Sequence, residues 1–194
     1  IVSRYDVDAL HLDDYFYPYP VSGSDFPDEE TFRANPRGFK LKADWRRDNV
    51  NRIVKRIQDS IKQLKPWVEF GVSPFGVWRN GNKDPQGSAT QAGVTNYDDL
   101  YADVILWADS GWVDYLAPQL YWELGKKVAD YAVLAPWWQE HVKNSKLYFG
   151  LYASGMEVNK QKAWKTPNEL IRQLHFNKEN ITNDGVIYYS TKYF

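Results

Sequence analysis

The run Val7-Asp8-Ala9-Leu10-His11-Leu12-Asp13-Asp14-Tyr15-Phe16-Tyr17 ends an alternating apolar stretch in two adjacent carboxylates. In a strand, successive side chains face opposite sides. Leu10 and Leu12 then share one face, and Ala9, His11 and Asp13 share the other. Asp14 falls at the strand-to-loop transition, with Tyr15 and Tyr17 beyond it. An inward carboxylate is costly to bury without partners, and His11 on the same face is placed to support Asp13. A second run, Pro118 to Glu123, alternates in the same way. It sends Leu116, Pro118, Leu120 and Trp122 to one side and Gln119, Tyr121 and Glu123 to the other. Asp13, with Glu123 or Asp14 as a second carboxyl group, has the composition needed to hydrolyse an acetal. One carboxyl gives a proton to the leaving oxygen; the other attacks the anomeric carbon or activates water. Simpler roles compete: Asp13 as a structural tie for the loop, Asp14 as a turn cap, Glu123 as a solvated loop residue. The Asp13–Asp14 pair also has the oxygen ligands of a hard-cation site such as one for Ca²⁺. His11, His141 and His175 lie far apart and match no zinc spacing, and no G-x-S-x-G elbow is present. No metal or other cofactor is expected.

These residues must be positioned by something, and the chain alternates strand and helix. Strands are predicted over 7–15, 68–75, 115–122, 146–153 and 185–190. Helices are predicted over 44–65, with Asp44 as cap; over 97–110, closed by Gly111; over 130–142, with an interruption at Pro136; and over 167–180, with Thr166 as cap and Pro167 first. Strict alternation implies a parallel sheet with helical crossovers. A doubly wound nucleotide binder would carry a Gly-rich turn after its first strand, and none is present. The strands end instead in Asp13, Ser73, Gln119, Tyr121, Tyr152 and Ser190, the pattern of a (β/α)8 barrel whose active face lies at the strand C-termini. The fold class expected is therefore α/β, a partial TIM barrel of about five C-terminal βα units. Segments 16–43 and 76–96 exceed ordinary βα connections of about 2–6 residues and are expected to build a cleft. Residues 1–194 read as one domain. The start at Ile1, close to the first strand, suggests a piece of a longer protein lacking the first three βα units. Such a piece leaves two sheet edges and one core face open, so self-association is expected.

The 24 basic and 25 acidic residues leave a net charge of −1, which gives no ground for nucleic acid or an anionic membrane as partner. No apolar run approaches the roughly 20 residues of a membrane span. Cysteine is absent, which removes disulfides and thiol catalysis. Nine Trp and 14 Tyr supply flat apolar faces with polar edges, a match for sugar rings as well as for a core. Trp78 and Trp122 are candidates for such stacking. Ser73, Arg79, Asn80, Gln119, Tyr121, Tyr152 and Ser190 are candidate substrate contacts, together with His11, Tyr15 and Tyr17.

At VDALHLDDYFYPYP, FGVSPFGVWRN, PQLYWE and GVIYYSTKYF, the chain resembles a bacterial family of glycosyl-hydrolase-like TIM-barrel proteins, the tenth of that name. The resemblance runs from Asp6 to Phe194. It implies an oligosaccharide or polysaccharide substrate in a secreted, periplasmic or outer-membrane-anchored parent protein. It further implies glycan strands of peptidoglycan stripped of peptide, and hence an amino-sugar linkage. The strand DALHLD is also similar to DGFRLD of the alpha-amylase superfamily, whose last Asp is the nucleophile; carried over, Asp13 takes that role. Here His11 stands for the usual Arg and Ala9 for Gly. The next strand ends in Ser73 where that superfamily places its acid, which leaves Glu123 or Asp14 for the task. A non-catalytic carbohydrate-binding protein on a degenerate barrel is the alternative. A metal-dependent deacetylase is disfavoured by the missing His-rich motif.

Overall fold

The computed structural model describes residues 1–158 and 162–190; the last four residues of the GVIYYSTKYF landmark lie outside the described residues. In chain order the elements are β1 (Ala9–Leu12), α1 (Glu29–Ala34), α2 (Lys42–Leu64), β2 (Glu69–Val72), α3 (Val104–Asp109), β3 (Tyr115–Leu116), α4 (Tyr131–His141), β4 (Lys146–Leu151), α5 (Gly155–Val158), a 3-10 turn (Lys162–Trp164), α6 (Asn168–Asn180) and β5 (Gly185–Tyr188). The strands form one parallel sheet in the order β1-β2-β3-β4-β5. Consecutive parallel strands joined over one face curl into a half-barrel, the partial α/β TIM barrel that the alternation predicts.

Side-chain parity on β1 follows the predicted split. Leu10 shares an apolar groove with Ile53, Ile57 and Ile61 of α2, and Leu12 lines a neighbouring groove with Val50 and Val54 of the same helix. The register pairs Leu10 with Phe70 and Leu12 with Val72, and continues from Val72 to Leu116 and on to Leu147. Phe70, Val72, Leu116 and Leu147 of this outer row are buried with Phe149, Trp107 and Trp138, and Leu10 and Leu12 pack partly buried against that core. On the inner face the register pairs His11 with Gly71 and Gly71 with Tyr115. A Cβ on Gly71 would lie 2.0 Å from the Tyr115 ring. Glycine therefore lets the ring lie across β2 and reach β1. There the Tyr115 hydroxyl and Nδ1 of His11 are hydrogen-bonded at 2.9 Å, and the two rings stack with centroids 5.6 Å apart. Tyr148 meets the other side of Tyr115 edge-on at 5.7 Å. At the opposite end of the strands, Asp114 accepts from the Phe70 backbone N–H at 2.7 Å and pairs with Lys62 at 2.9 Å, a structural tie.

Several predicted boundaries shift. All five strands are shorter than predicted. The predicted 115–122 strand is regular only at Tyr115–Leu116, because Pro118 has no N–H to give the ladder; pairing resumes as isolated bridges from Gln119 to Phe75 and Gly150. The predicted helix over 97–110 contracts to α3. Tyr101 takes φ +54°, which no right-handed helix accommodates, and the Asp103 side chain caps the new start at Leu106 N. Pro136 does not interrupt α4. Its exposed ring lies on the solvent side while Tyr131, Leu134, Ala135, Trp137 and Trp138 are buried, so packing outweighs the one lost bond. Asp44 is not the cap of α2: the helix starts at Lys42 after Leu41, and Asp44 pairs with Arg47 at 2.6 Å. Nor does Thr166 cap α6, which starts at Asn168 with Pro167 in the cap position.

The Gly71 approach generates a stability test. Gly71→Ala overpacks the inner row and is expected to cost about 1–3 kcal/mol in denaturant unfolding. Gly71→Ala with Tyr115→Leu recovers part of that loss.

Candidate active site

The strand C-termini open onto a cleft of about 370 Å³, within the range of small-ligand sites. β1 delivers the acidic wall. Two residues beyond His11, and just past the strand, Asp13 is exposed on the inner side. Its Oδ1 accepts from Gln119 Nε2 at 2.7 Å and from the Asp14 backbone N–H at 2.9 Å. The same Gln119 amide donates to the Ser73 carbonyl at 3.0 Å, so one side chain ties the ends of the first three strands together. Among the described residues, no Arg or Lys ion pair occupies Asp13.

Asp14 is the contrasting neighbour. It is 3% exposed, and its Oδ2 accepts a hydrogen bond from the Tyr19 hydroxyl. Burial pushes the Asp14 pKa above the ordinary carboxylate range; the Tyr19 hydrogen bond opposes the shift and the charge on Asp13 adds to it. Tyr19 itself is pushed well up by burial and by its bond to Asp14. Burial lowers the His11 pKa, against the charge of Asp13.

The other walls are aromatic. Tyr121 stacks on Tyr152 at 5.2 Å and on Tyr189 at 5.7 Å, so three tyrosines from the ends of β3, β4 and β5 form one platform. Burial, then the charge of Asp13, raises the Tyr121 pKa, so its hydroxyl keeps its proton at any physiological pH. Trp122 and Tyr15 also line the cleft, and Phe75 meets Trp122 edge-on at 5.4 Å behind them.

Seven of the expected residues thus come together: Asp13, Asp14, Tyr15, Gln119, Tyr121, Trp122 and Tyr152. His11 sits below on Tyr115, and Ser73 gives its hydroxyl to the Ala117 carbonyl at 2.7 Å. The others lie elsewhere. Glu123 does not line the cleft, because the chain turns at Glu123–Lys126 and strand alternation no longer governs it. Its carboxylate accepts from Trp164 Nε1 at 3.2 Å and pairs with Lys126 at 3.2 Å. Burial would raise its pKa, but a backbone hydrogen bond, Lys126 and Trp164 together hold it low, the wrong direction for a proton donor. Trp78 is buried and stacked on Trp137 at 5.8 Å. Arg79 pairs with Asp84 at 2.6 Å and Asp98 at 2.8 Å. Asn80 clamps its own loop, accepting from Thr90 at 2.8 Å and Ala92 N at 2.9 Å. Tyr17 packs on Tyr101 at 5.1 Å, away from the cleft. Ser190 follows β5 outside the lining, where Tyr189 stands in its place. The sequence reading missed Tyr19 and Tyr189. Tyr189 neighbours Ser190 and Tyr19 lies two residues beyond Tyr17, but parity does not extend past a strand end. Among the described residues, no group of three or more His, Asp or Glu is placed to hold a metal ion, and no helix is long and apolar enough to cross a membrane.

Comparison with known proteins places this cleft in context. The family model described as "Glycosyl hydrolase-like 10" matches residues 1–166. The protein named "Glycosyl hydrolase YngK" of Bacillus subtilis (strain 168) is 48% identical over 195 residues, covering 99% of this chain and 38% of that protein. "Glycosyl hydrolase DigH" of Escherichia coli (strain K12) is 42% identical over 200 residues, covering 100% of this chain and 45% of that protein. The chain therefore spans less than half the length of these curated relatives. The cleft lies almost wholly within the matched residues, with Tyr189 alone beyond them. With a family model covering most of its length and relatives at this identity, the chain belongs to the glycosyl hydrolase-like 10 family.

Proposed function

We propose that the protein containing this chain hydrolyses O-glycosidic bonds in a bacterial glycan, with Asp13 as nucleophile or base and Asp14 as the proton-holding partner. The observation that carries the reading is the Asp13 carboxylate. It is exposed in a cleft with an aromatic platform opposite and is oriented by the Gln119 amide, not neutralised by a cation. Aromatic faces suit the C–H faces of pyranose rings. The two carboxyls differ in environment as an acid and a base must: Asp13 is solvated, while Asp14 is buried and held protonated to higher pH. The names of the relatives support glycosidic chemistry. The substrate we favour is the amino-sugar glycan strand of denuded peptidoglycan, met by a secreted or envelope-anchored protein. A binding-only reading has one observation in its favour: β2 ends in Ser73, whose hydroxyl is committed to Ala117, so that strand supplies no second carboxylate.

Product analysis on denuded peptidoglycan and chitooligosaccharides, with the polypeptide carrying this chain at the length of its relatives, separates the two. Asp13→Asn is expected to lower turnover by at least about 10²-fold with the melting temperature retained. Unchanged turnover, or binding without products in the unsubstituted protein, removes the catalytic assignment.

Asp14 generates a pH test whose sign is definite. Its folded pKa lies above its unfolded value of about 3.9, so the folded state holds the proton longer. Stability falls as pH rises from the unfolded value through the folded one, then levels off. Asp14→Asn flattens that slope in unfolding measured from pH 3 upward. Tyr19→Phe removes the bond that favours the carboxylate and moves the Asp14 titration, followed by carboxyl ¹³C shifts, to still higher pH.

A further inference from the structure

A second cavity of about 330 Å³ lies in the long segment between β1 and α2 and the turns before α3. It shares one residue with the acidic cleft: Tyr19 lines both. Tyr19 stands between Pro18 and Pro20, whose rings restrict the backbone, and its hydroxyl is anchored on Asp14. Beyond it the cavity is walled by Tyr17, Phe26 and Tyr101. These rings are built into a fixed surface. Tyr17 meets Phe26 edge-on at 5.3 Å and Tyr101 at 5.1 Å. The Arg46 guanidinium lies over Tyr17 at 5.3 Å and over Tyr101 at 4.9 Å. Arg46 is itself buried, paired with Asp28 at 2.6 Å, and donates to the Tyr101 hydroxyl at 2.8 Å. Tyr101 is held at φ +54°, which an ordinary L-residue adopts only when its surroundings impose it. A strained aromatic locked over a buried arginine, with Phe26 44% exposed at the rim, is a preorganised stacking surface.

The charge around the cavity narrows what it holds. Asp25 is paired with Lys42 at 2.8 Å and Arg46 at 3.0 Å, Asp98 with Arg79 at 2.8 Å, and Asp99 accepts from Thr95 N and Oγ1 at 2.7 and 3.0 Å. The carboxylates at Asp25 and Asp98 are thus compensated by cations, and Asp99 is committed to its own turn. The wall offers aromatic faces and hydrogen-bond acceptors with little net negative field, the lining for a neutral polyol ring, not for an ammonium ion.

We propose that this cavity is a second sugar-ring subsite. It would take an uncharged pyranose such as an N-acetylated hexosamine, so that a glycan chain runs from the acidic cleft across Tyr19 onto Tyr101 and Phe26. The assignment rests on the glycan reading of the cleft. It makes recognition depend on chain length, as an endo-acting enzyme requires.

The test uses sulfur-linked N-acetylglucosamine dimer and hexamer, which resist glycosidic cleavage, titrated calorimetrically into the polypeptide at the length of its relatives. The hexamer is expected to bind about tenfold or more tightly than the dimer, the contribution of one buried aromatic contact. Tyr101→Ala and Phe26→Ala are each expected to collapse that ratio toward one. Phe26 is the safer site, since its ring is partly exposed; thermal melting confirms that each variant is folded. A ratio that survives in folded Phe26→Ala and Tyr101→Ala overturns the subsite and leaves the cleft reading intact. Failure of both oligomers to bind overturns the N-acetylhexosamine subsite, while product analysis on denuded peptidoglycan separately decides the cleft reading. Tighter binding of the fully de-N-acetylated, cationic hexamer overturns the neutral-ring assignment.

Discussion

The ring of Tyr115 lies across β2 because Gly71 has no side chain, and it ends against His11 on β1. Three strands are thereby locked through their inner faces by one aromatic side chain. Backbone ladders set the spacing of parallel strands; this row packs their inner faces against one another. Asp13 emerges two residues beyond His11 on the same inner side. Its position over the cleft follows from that row, and the outer row of Leu10, Phe70, Leu12 and Val72 under the helices enforces the same parity from the other face.

Above the row, the work is divided between the two halves of the sheet. The β1 end contributes two carboxylates, Asp13 exposed and Asp14 buried, and burial raises the proton affinity of Asp14. The ends of β3, β4 and β5 contribute Tyr121, Tyr152 and Tyr189 as stacked rings. Gln119 joins the halves, because one amide reaches both Asp13 and the Ser73 carbonyl. Charges in α2 and in the loop after β2 serve architecture. Arg46 and Arg79 are each compensated by carboxylates and packed against rings, so the acidic cleft is not drowned by nearby positive field.

How much of this was legible depended on whether a side chain sat within a regular element. Leu10, His11 and Leu12 follow the predicted parity because alternation holds inside β1, and Asp13, one residue past its end, keeps the inner side. Glu123 was misplaced because the same rule was carried past Leu116, through Pro118 and into a turn. Residue type and the FGVWRN landmark make Trp78 and Arg79 candidate substrate contacts; in the fold one is buried against Trp137 and the other is paired with two aspartates. Tyr19 lies in a loop where no periodicity predicts direction, and Tyr189 lies in the predicted 185–190 strand on the opposite parity from Ser190, whereas β5 ends at Tyr188. The helix expected over 97–110 failed at Tyr101, whose left-handed backbone is imposed by contacts with residues far away in the chain.

The amino-acid order by itself determined the parallel α/β plan, the strand whose end leads into Asp13 and Asp14, and the aromatic supply for a cleft. Those depend on local periodicity and on the spacing of apolar positions, which are written along the chain. Only the tertiary structure decided which carboxylate is buried, which tyrosines converge, and which charged residues are left to face a ligand. Those outcomes turn on desolvation and on packing between residues such as Asp13 and Gln119, 106 positions apart, and no local pattern encodes a contact across that distance.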